Sequence, residues 1–287
     1  MKKIFSLLAM ATVLFASSCN KTPENVTPEN NETPITLSPE FADLQNSLYE
    51  LNQEMIPSSP ETRSFWRWLC VGICDAVGAV CGYQVGNVPG AILLGSAASA
   101  IAVVEFEPMN SNSAVINTFK VEEQDFQSVI KDLKDASGAE VGVFHNRLIR
   151  SAYAENGDDL YDMSSEELVP MFREALPAGY NNLSMTNEEL TESVQDFVYS
   201  PASGETTNEF VLGLCEKYPG AAQELLVMLP ILDGISASAT DKAALDYTTR
   251  VMKTIERSKV AAKSKNAILC GASVAFESKV LWNLSEN

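Results

Sequence analysis

The chain has 287 residues, with 38 acidic side chains against 20 basic ones and a formal net charge of −18. A surface that acidic repels nucleic acid, so nucleic acid is excluded as a partner of the whole protein, and anionic lipid is disfavoured. One histidine and six cysteines leave little from which to build a zinc site, and neither a metal nor a cofactor is expected.

The N-terminal stretch MKKIFSLLAMATVLFASSCN has two lysines, an apolar run from Ile4 to Ala16 and then small residues. That is the pattern of a secretion signal over residues 1–18, too short for a stable bilayer span. Cys19 behind Ala16, Ser17 and Ser18 resembles the lipobox of bacterial lipoproteins, although Ala16 stands where that family usually has leucine. The resemblance implies that Cys19 becomes the acylated first residue and anchors the protein to a membrane. Asn20, where aspartate would mark retention at the inner membrane, then implies an outer-membrane lipoprotein of the cell envelope.

Residues 19–37 carry TPEN twice, at Thr22 and Thr27, with almost no apolar side chains. Such a segment cannot bury enough surface to offset its ordering entropy, and it reads as a disordered tether. Residues 38–287 read as an all-α, multi-helix domain built around a glycine-rich helical hairpin. Its first helix starts at Ser38 as N-cap with Pro39 behind it, and Phe41, Leu44, Leu48, Leu51 and Met55 form one apolar stripe.

Val71 to Val104 holds a single charge, Asp75, and fifteen of its 34 residues are Gly, Ala or Ser. One helix of that length would measure about 50 Å against a hydrocarbon core of about 30 Å. GNVPG at Gly86 supplies a break, because the residue before proline avoids the helical region. The expected hairpin spans about 64–106, with arms near Ser64 to Val85 and Gly90 to Phe106. Gly78, Gly82, Gly86 and Gly90 recur every fourth position, and Gly95 continues the small-residue face on the second arm. Small residues at that spacing let two helix backbones approach closely. The stretch resembles the glycine-zipper segments of some envelope lipoproteins and membrane-inserting peptides. Two environments stay open for it, a buried core and a bilayer, the second with self-association. SFWRWLC at its entrance, with Phe65, Trp66 and Trp68, suits a headgroup boundary or the rim of a core.

AVINTFKV from Ala114 carries only a weak strand pattern. His145 falls on the stripe of Val141, Phe144, Leu148, Ile149 and Ala152, as a satisfied core histidine would. Neither a nucleophile elbow nor a cysteine-protease signature accompanies it, so no catalytic residue is assigned. Asp158, Asp159 and Asp162 lack the ordered oxygen spacing of a calcium loop.

Three further helices open with a hydroxyl followed three places on by glutamate: Ser164 with Glu167, Thr186 with Glu189 and Thr206 with Glu209. Pro170 should bend its helix. From Asp241 to Leu284 the pattern gives two helices, divided near Ser264 to Asn266. Glu155 to Glu209 is acidic apart from Arg173, while Arg250 to Lys265 is basic apart from Glu256. These read as two solvated faces or as mutually attracting parts of one domain. Cys70, Cys74, Cys81, Cys215 and Cys270 read mainly as small buried residues, with Cys215 to Cys270 as a candidate bridge.

Gly142, His145 and Asn146 make G-x-x-H-N at the start of a helix, and CGASVAFESKVLWN makes a small-residue helix ending at Trp282. With the hairpin and the signal, they resemble a group of secreted bacterial proteins to which no activity is assigned. The resemblance implies a shared fold and transfers no catalytic role. His145 and Asn146 are the expected structural polar site, satisfying backbone at a helix junction. The whole reads as a non-catalytic binding or structural module anchored through Cys19, with a protein partner or self-association. A membrane-active hairpin is the alternative.

Overall fold

Asn87 divides the longest apolar segment: it alone among the described non-glycine residues has a positive φ, 53°, with ψ at −145°. The computed structural model describes residues 35–56, 63–106, 128–129, 131–133, 138–176, 180, 183–199 and 206–282. The expected signal peptide, Cys19, most of the expected tether and the segment at Ala114 lie outside them. The chain separates into Met1–Thr36 and Leu37–Asn287, and the fold is that of the second unit. Among the described residues it is all-helical: α1 (Pro39–Met55), α2 (Arg63–Phe106), α3 (Val141–Asn156), α4 (Ser165–Glu174), α5 (Asn187–Asp196), α6 (Thr207–Lys217), α7 (Ala222–Ala237), α8 (Asp241–Arg257) and α9 (Ala262–Trp282), with a 3₁₀ turn at Gly157–Asp162.

At Asn87, α2 doubles back. A Cβ on Gly78 would sit 2.7 Å from the carbonyl oxygen of Leu94, and Cβ atoms on Gly82 and Gly90 would each strike the other's carbonyl. Farther from the bend Gly95 meets Ala79, and Ser99 donates to the Asp75 carboxyl at 3.0 Å. Those pairs define antiparallel arms in backbone contact. Gly86 faces away from this seam, where a Cβ would meet Leu183. The break is narrower than the GNVPG pattern suggests. Pro89 lies in the first turn of the second arm, where a missing N–H costs no hydrogen bond.

The other helices wrap the hairpin. α9 covers it, with Gly271 set against Val80 of α2 and Met228 of α7. α1 docks on α7 through Phe41, Leu44, Leu48 and Leu51, all buried, while Met55 at its end is half-buried. Three hydrogen bonds fix this docking: Ser38 N–H to Gln223 Oε1 at 2.7 Å, Gln45 Nε2 to the Leu226 carbonyl at 2.9 Å, and Asn52 Nδ2 to the Pro230 carbonyl at 2.8 Å. Ser38 opens the helix in extended conformation, but its side chain makes no cap bond. The second of those bonds answers Pro230, which has no N–H for the carbonyl four residues earlier, that of Leu226.

The glutamates of all three capping boxes accept from the cap N–H at 2.8 to 2.9 Å. α8 ends at Arg257 and α9 begins at Ala262, earlier than the division expected near Ser264 to Asn266. Ser258 takes an extended conformation there, and Lys265 reaches back to the Glu256 carbonyl at 2.7 Å, so the hydrophilic residues after Ala262 form a first helical turn instead of a linker. The acidic and basic stretches serve separate places. α4 and α5 pack on α2, whereas α8 packs on α1, α7 and α9.

A buried polar seam as the candidate functional site

The five described cysteines are buried and none is in a disulfide, so Cys215 and Cys270 form no bridge. Cys215 turns its thiol to the Ala222 carbonyl, and Cys74 accepts from the Tyr199 N–H at 3.0 Å. Burial pushes the Cys70 and Cys215 thiols up to about 12, which removes them as nucleophiles at neutral pH.

The GxxHN sequence lies along α9, and each of its three residues has one task. Gly142 is the crossing point: a Cβ there would sit 2.6 Å from Ser273 Oγ, and the Gly142 N–H donates to that hydroxyl at 2.8 Å. Ser273 in turn donates to the Ala139 carbonyl at 2.6 Å, so a residue of α9 caps the start of α3, where Glu140 makes no side-chain cap. One turn on, Asn146 Nδ2 donates to the Glu277 carbonyl at 2.9 Å and to Glu277 Oε2 at 2.6 Å. Tyr153 and Trp282 close the pairing edge to face, with centroids 6.1 Å apart. α3 and α9 therefore run parallel.

His145 points the other way, into the hairpin. Its Nδ1 lies 3.0 Å from Asn146 Oδ1 and its Nε2 3.6 Å from Asp75 Oδ2, with both side chains fully buried. Asp75 accepts from Ser99, and Ser99 accepts from Trp282 Nε1 at 3.2 Å. Gly95 leaves room for the imidazole, whose Cδ2 would be 3.6 Å from a Cβ there. Burial holds the imidazole down to about 4 and pushes the Asp75 carboxyl well above its usual range, against the lowering effect of Ser278 and Ser99.

An acid, an imidazole and a hydroxyl meet here, but Asp75, Ser99 and His145 each have no solvent-exposed surface. A substrate atom has no approach to any of them in this conformation. Among the described residues no group of three His, Cys, Asp or Glu side chains is arranged to hold a metal. A cavity of about 480 Å³ lies elsewhere, between α1 and α8, with Glu40, Asp43, Arg257 and Lys259 on its walls.

Of the residues singled out in the sequence, the structure brings Gly95, His145 and Asn146 together and uses Gly78, Gly82 and Gly90 to join the arms. Asp75, Ser99, Ser278 and Trp282 were not singled out as site residues. Asp75 had a signal, as the only charge in 34 residues. Compared with protein-family models, with curated proteins and with solved structures, the chain has no significant match.

Proposed function

We propose that this chain is a lipid-anchored protein of the bacterial cell envelope, held at the outer membrane through Cys19. Its helical unit would serve as a non-catalytic binding or structural module on a tether. One observation carries the reading: the glycines of the hairpin are occupied from within the chain, Gly78, Gly82 and Gly90 by the opposite arm, Gly95 by Ala79 and His145 and Gly86 by Leu183. Helix faces already used internally leave a domain that needs no bilayer of its own, so the anchor supplies the membrane contact. The buried seam around His145 then acts as an internal fastener.

The second reading, an inserting or self-associating hairpin, is favoured by a different observation. Cys70–Ala102 is apolar and long enough to cross a membrane, although most of it is buried inside the unit. Vesicle flotation of the full chain carrying Cys19→Ser separates the two. Protein that stays below the vesicles as a monomer supports the anchored module, with loss of membrane association traced to the missing lipid. Protein that floats without the lipid overturns it in favour of the inserting hairpin.

A further inference from the structure

The side-chain hydrogen bonds at the seam run in one direction around a ring. Trp282 N–H donates to Ser99, and the Ser99 hydroxyl donates to Asp75. On the other side, Asn146 spends its amide N–H groups on Glu277, which turns its Oδ1 toward His145 Nδ1. Nδ1 must then carry the hydrogen, and Nε2 is left as a bare acceptor. Facing it is Asp75; neither Asp75 Oδ1 nor His145 Nε2 makes a hydrogen bond of good geometry, while the Ser278 hydroxyl and the Gly95 carbonyl lie close enough to act on the carboxyl and on the imidazole. The ring starts and ends on α9 and passes through both arms of α2 and through α3. Its one open link is Asp75 to His145, a few tenths of an ångström beyond a hydrogen bond. With a carboxylate there, two acceptors would face each other in a site with no exposed surface.

We propose that Asp75 and His145 form a one-proton latch, in which a proton carried by Asp75 is donated to His145 Nε2, closes the ring, and makes the hold of α3 and α9 on the hairpin dependent on pH. The proton leaves Asp75 for solvent when the latch opens, and no other group changes its bonding. The titratable neighbours are otherwise engaged. Glu277 on α9 accepts from Asn146, Lys279 on α9 donates to the Ile235 and Ser238 carbonyls, and Glu224 on α7 accepts from Gln84. Asp233 on α7 lies by Tyr247, and Asp196 on α5 pairs with Lys217. The raised carboxyl and the depressed imidazole agree with this placement.

Because His145 is the only histidine, its ring nitrogens can be read alone by NMR in the full chain. The expected result is a neutral Nδ1–H tautomer that does not titrate between pH 8 and pH 5. An Nε2–H tautomer, an imidazolium at pH 7, or a titration near the free value of about 6.5 overturns the proposal. The second measurement is urea unfolding against pH for the native chain and for Asp75→Asn, whose amide mimics the protonated carboxyl at every pH. One retained proton makes the native unfolding constant rise about tenfold per pH unit relative to Asp75→Asn, from about pH 5 until the folded carboxyl ionises. Contributions from Asp233 and Lys279 are common to both chains and cancel. A ratio that does not change with pH sinks the latch even if both proteins fold well.

Discussion

The ring of Tyr247 occupies the space where residue 234 would carry a side chain, so that a Cβ on Gly234 would collide with the ring's Cζ and hydroxyl. α7 and α8 can approach there only because position 234 is glycine, and the approach lets the Tyr247 hydroxyl donate to Asn52 of α1 at 2.6 Å. Gly234→Ala is expected to destabilise by about 2 kcal/mol net, since overpacking outweighs the gain of about 1 kcal/mol in helix propensity. For a unit of this size the midpoint of thermal unfolding should fall by about 4–8 °C. A midpoint at or above the native value would refute the contact.

Two glycines should respond to alanine in opposite directions. Gly82 faces the Gly90 carbonyl across the hairpin, whereas Gly213 in α6 has nothing near the place of its missing Cβ. Gly213→Ala should stabilise by about 0.5–1 kcal/mol through helix propensity. Gly82→Ala should destabilise, and Gly82→Leu should prevent the arms from closing. Parallel thermal melts check this, and equal responses at the two sites would remove the case for backbone contact between the arms.

Gln45 and Pro230 are coupled through an atom that belongs to neither. Proline at 230 deprives the Leu226 carbonyl of its helical donor, and Gln45 supplies another. Gln45→Met is expected to cost about 1–2 kcal/mol by leaving that carbonyl unpaired. In a Pro230→Ala background, where residue 230 again has an N–H, the same change should cost clearly less. A double-mutant cycle by urea denaturation measures the difference, and strict additivity would contradict the assignment.

Asp233 gives stability a separate dependence on pH. Burial pushes its carboxyl up to about 7 in the folded chain, above the unfolded value of about 3.9. A group raised on folding stabilises fully below its unfolded value and loses that contribution as pH climbs to the folded one. The window is therefore about pH 4 to 7. Part of Asp233 still touches solvent, which reduces the effect to about 1–2 kcal/mol. Asp233→Asn should flatten this contribution to the stability profile and leave the Asp75 contribution, which begins in the same range, intact.

The five buried thiols should resist modification in the native state. Cys70, Cys74, Cys81, Cys215 and Cys270 are expected to react with a thiol reagent at neutral pH only at the rate of unfolding, and together in urea. Fast reaction of any one of them in buffer would contradict its burial.

Local chemistry was readable before the fold was known. The hydroxyl-glutamate pairs state where α4, α5 and α6 begin, because each box is completed within four residues. The bend of the hairpin was readable for the same reason, since Pro89 and Asn87 act on their own backbone. The task of His145 was not. Its partner Asp75 is 70 residues away, and the hydroxyls and indole that complete the ring come from α9 and the second arm. Periodicity placed His145 on a buried face but carries no information about which polar atom stands opposite. Lys279 was hidden likewise: it sits in an apolar helix, and only the end of α7 shows why, where it donates to the Ile235 carbonyl at 2.7 Å and the Ser238 carbonyl at 2.6 Å.

Because both ends of the hydrogen-bond ring lie on α9, the order of the helices along the chain matters. Among the described helices the hairpin comes second and the helix that covers it ninth. Until Glu277 and Trp282 are in place, Asn146 lacks its acceptors, Ser99 lacks its indole donor and the apolar arms have no lid. A chain truncated before residue 277 should therefore expose the apolar arms and be a client for chaperones and proteases.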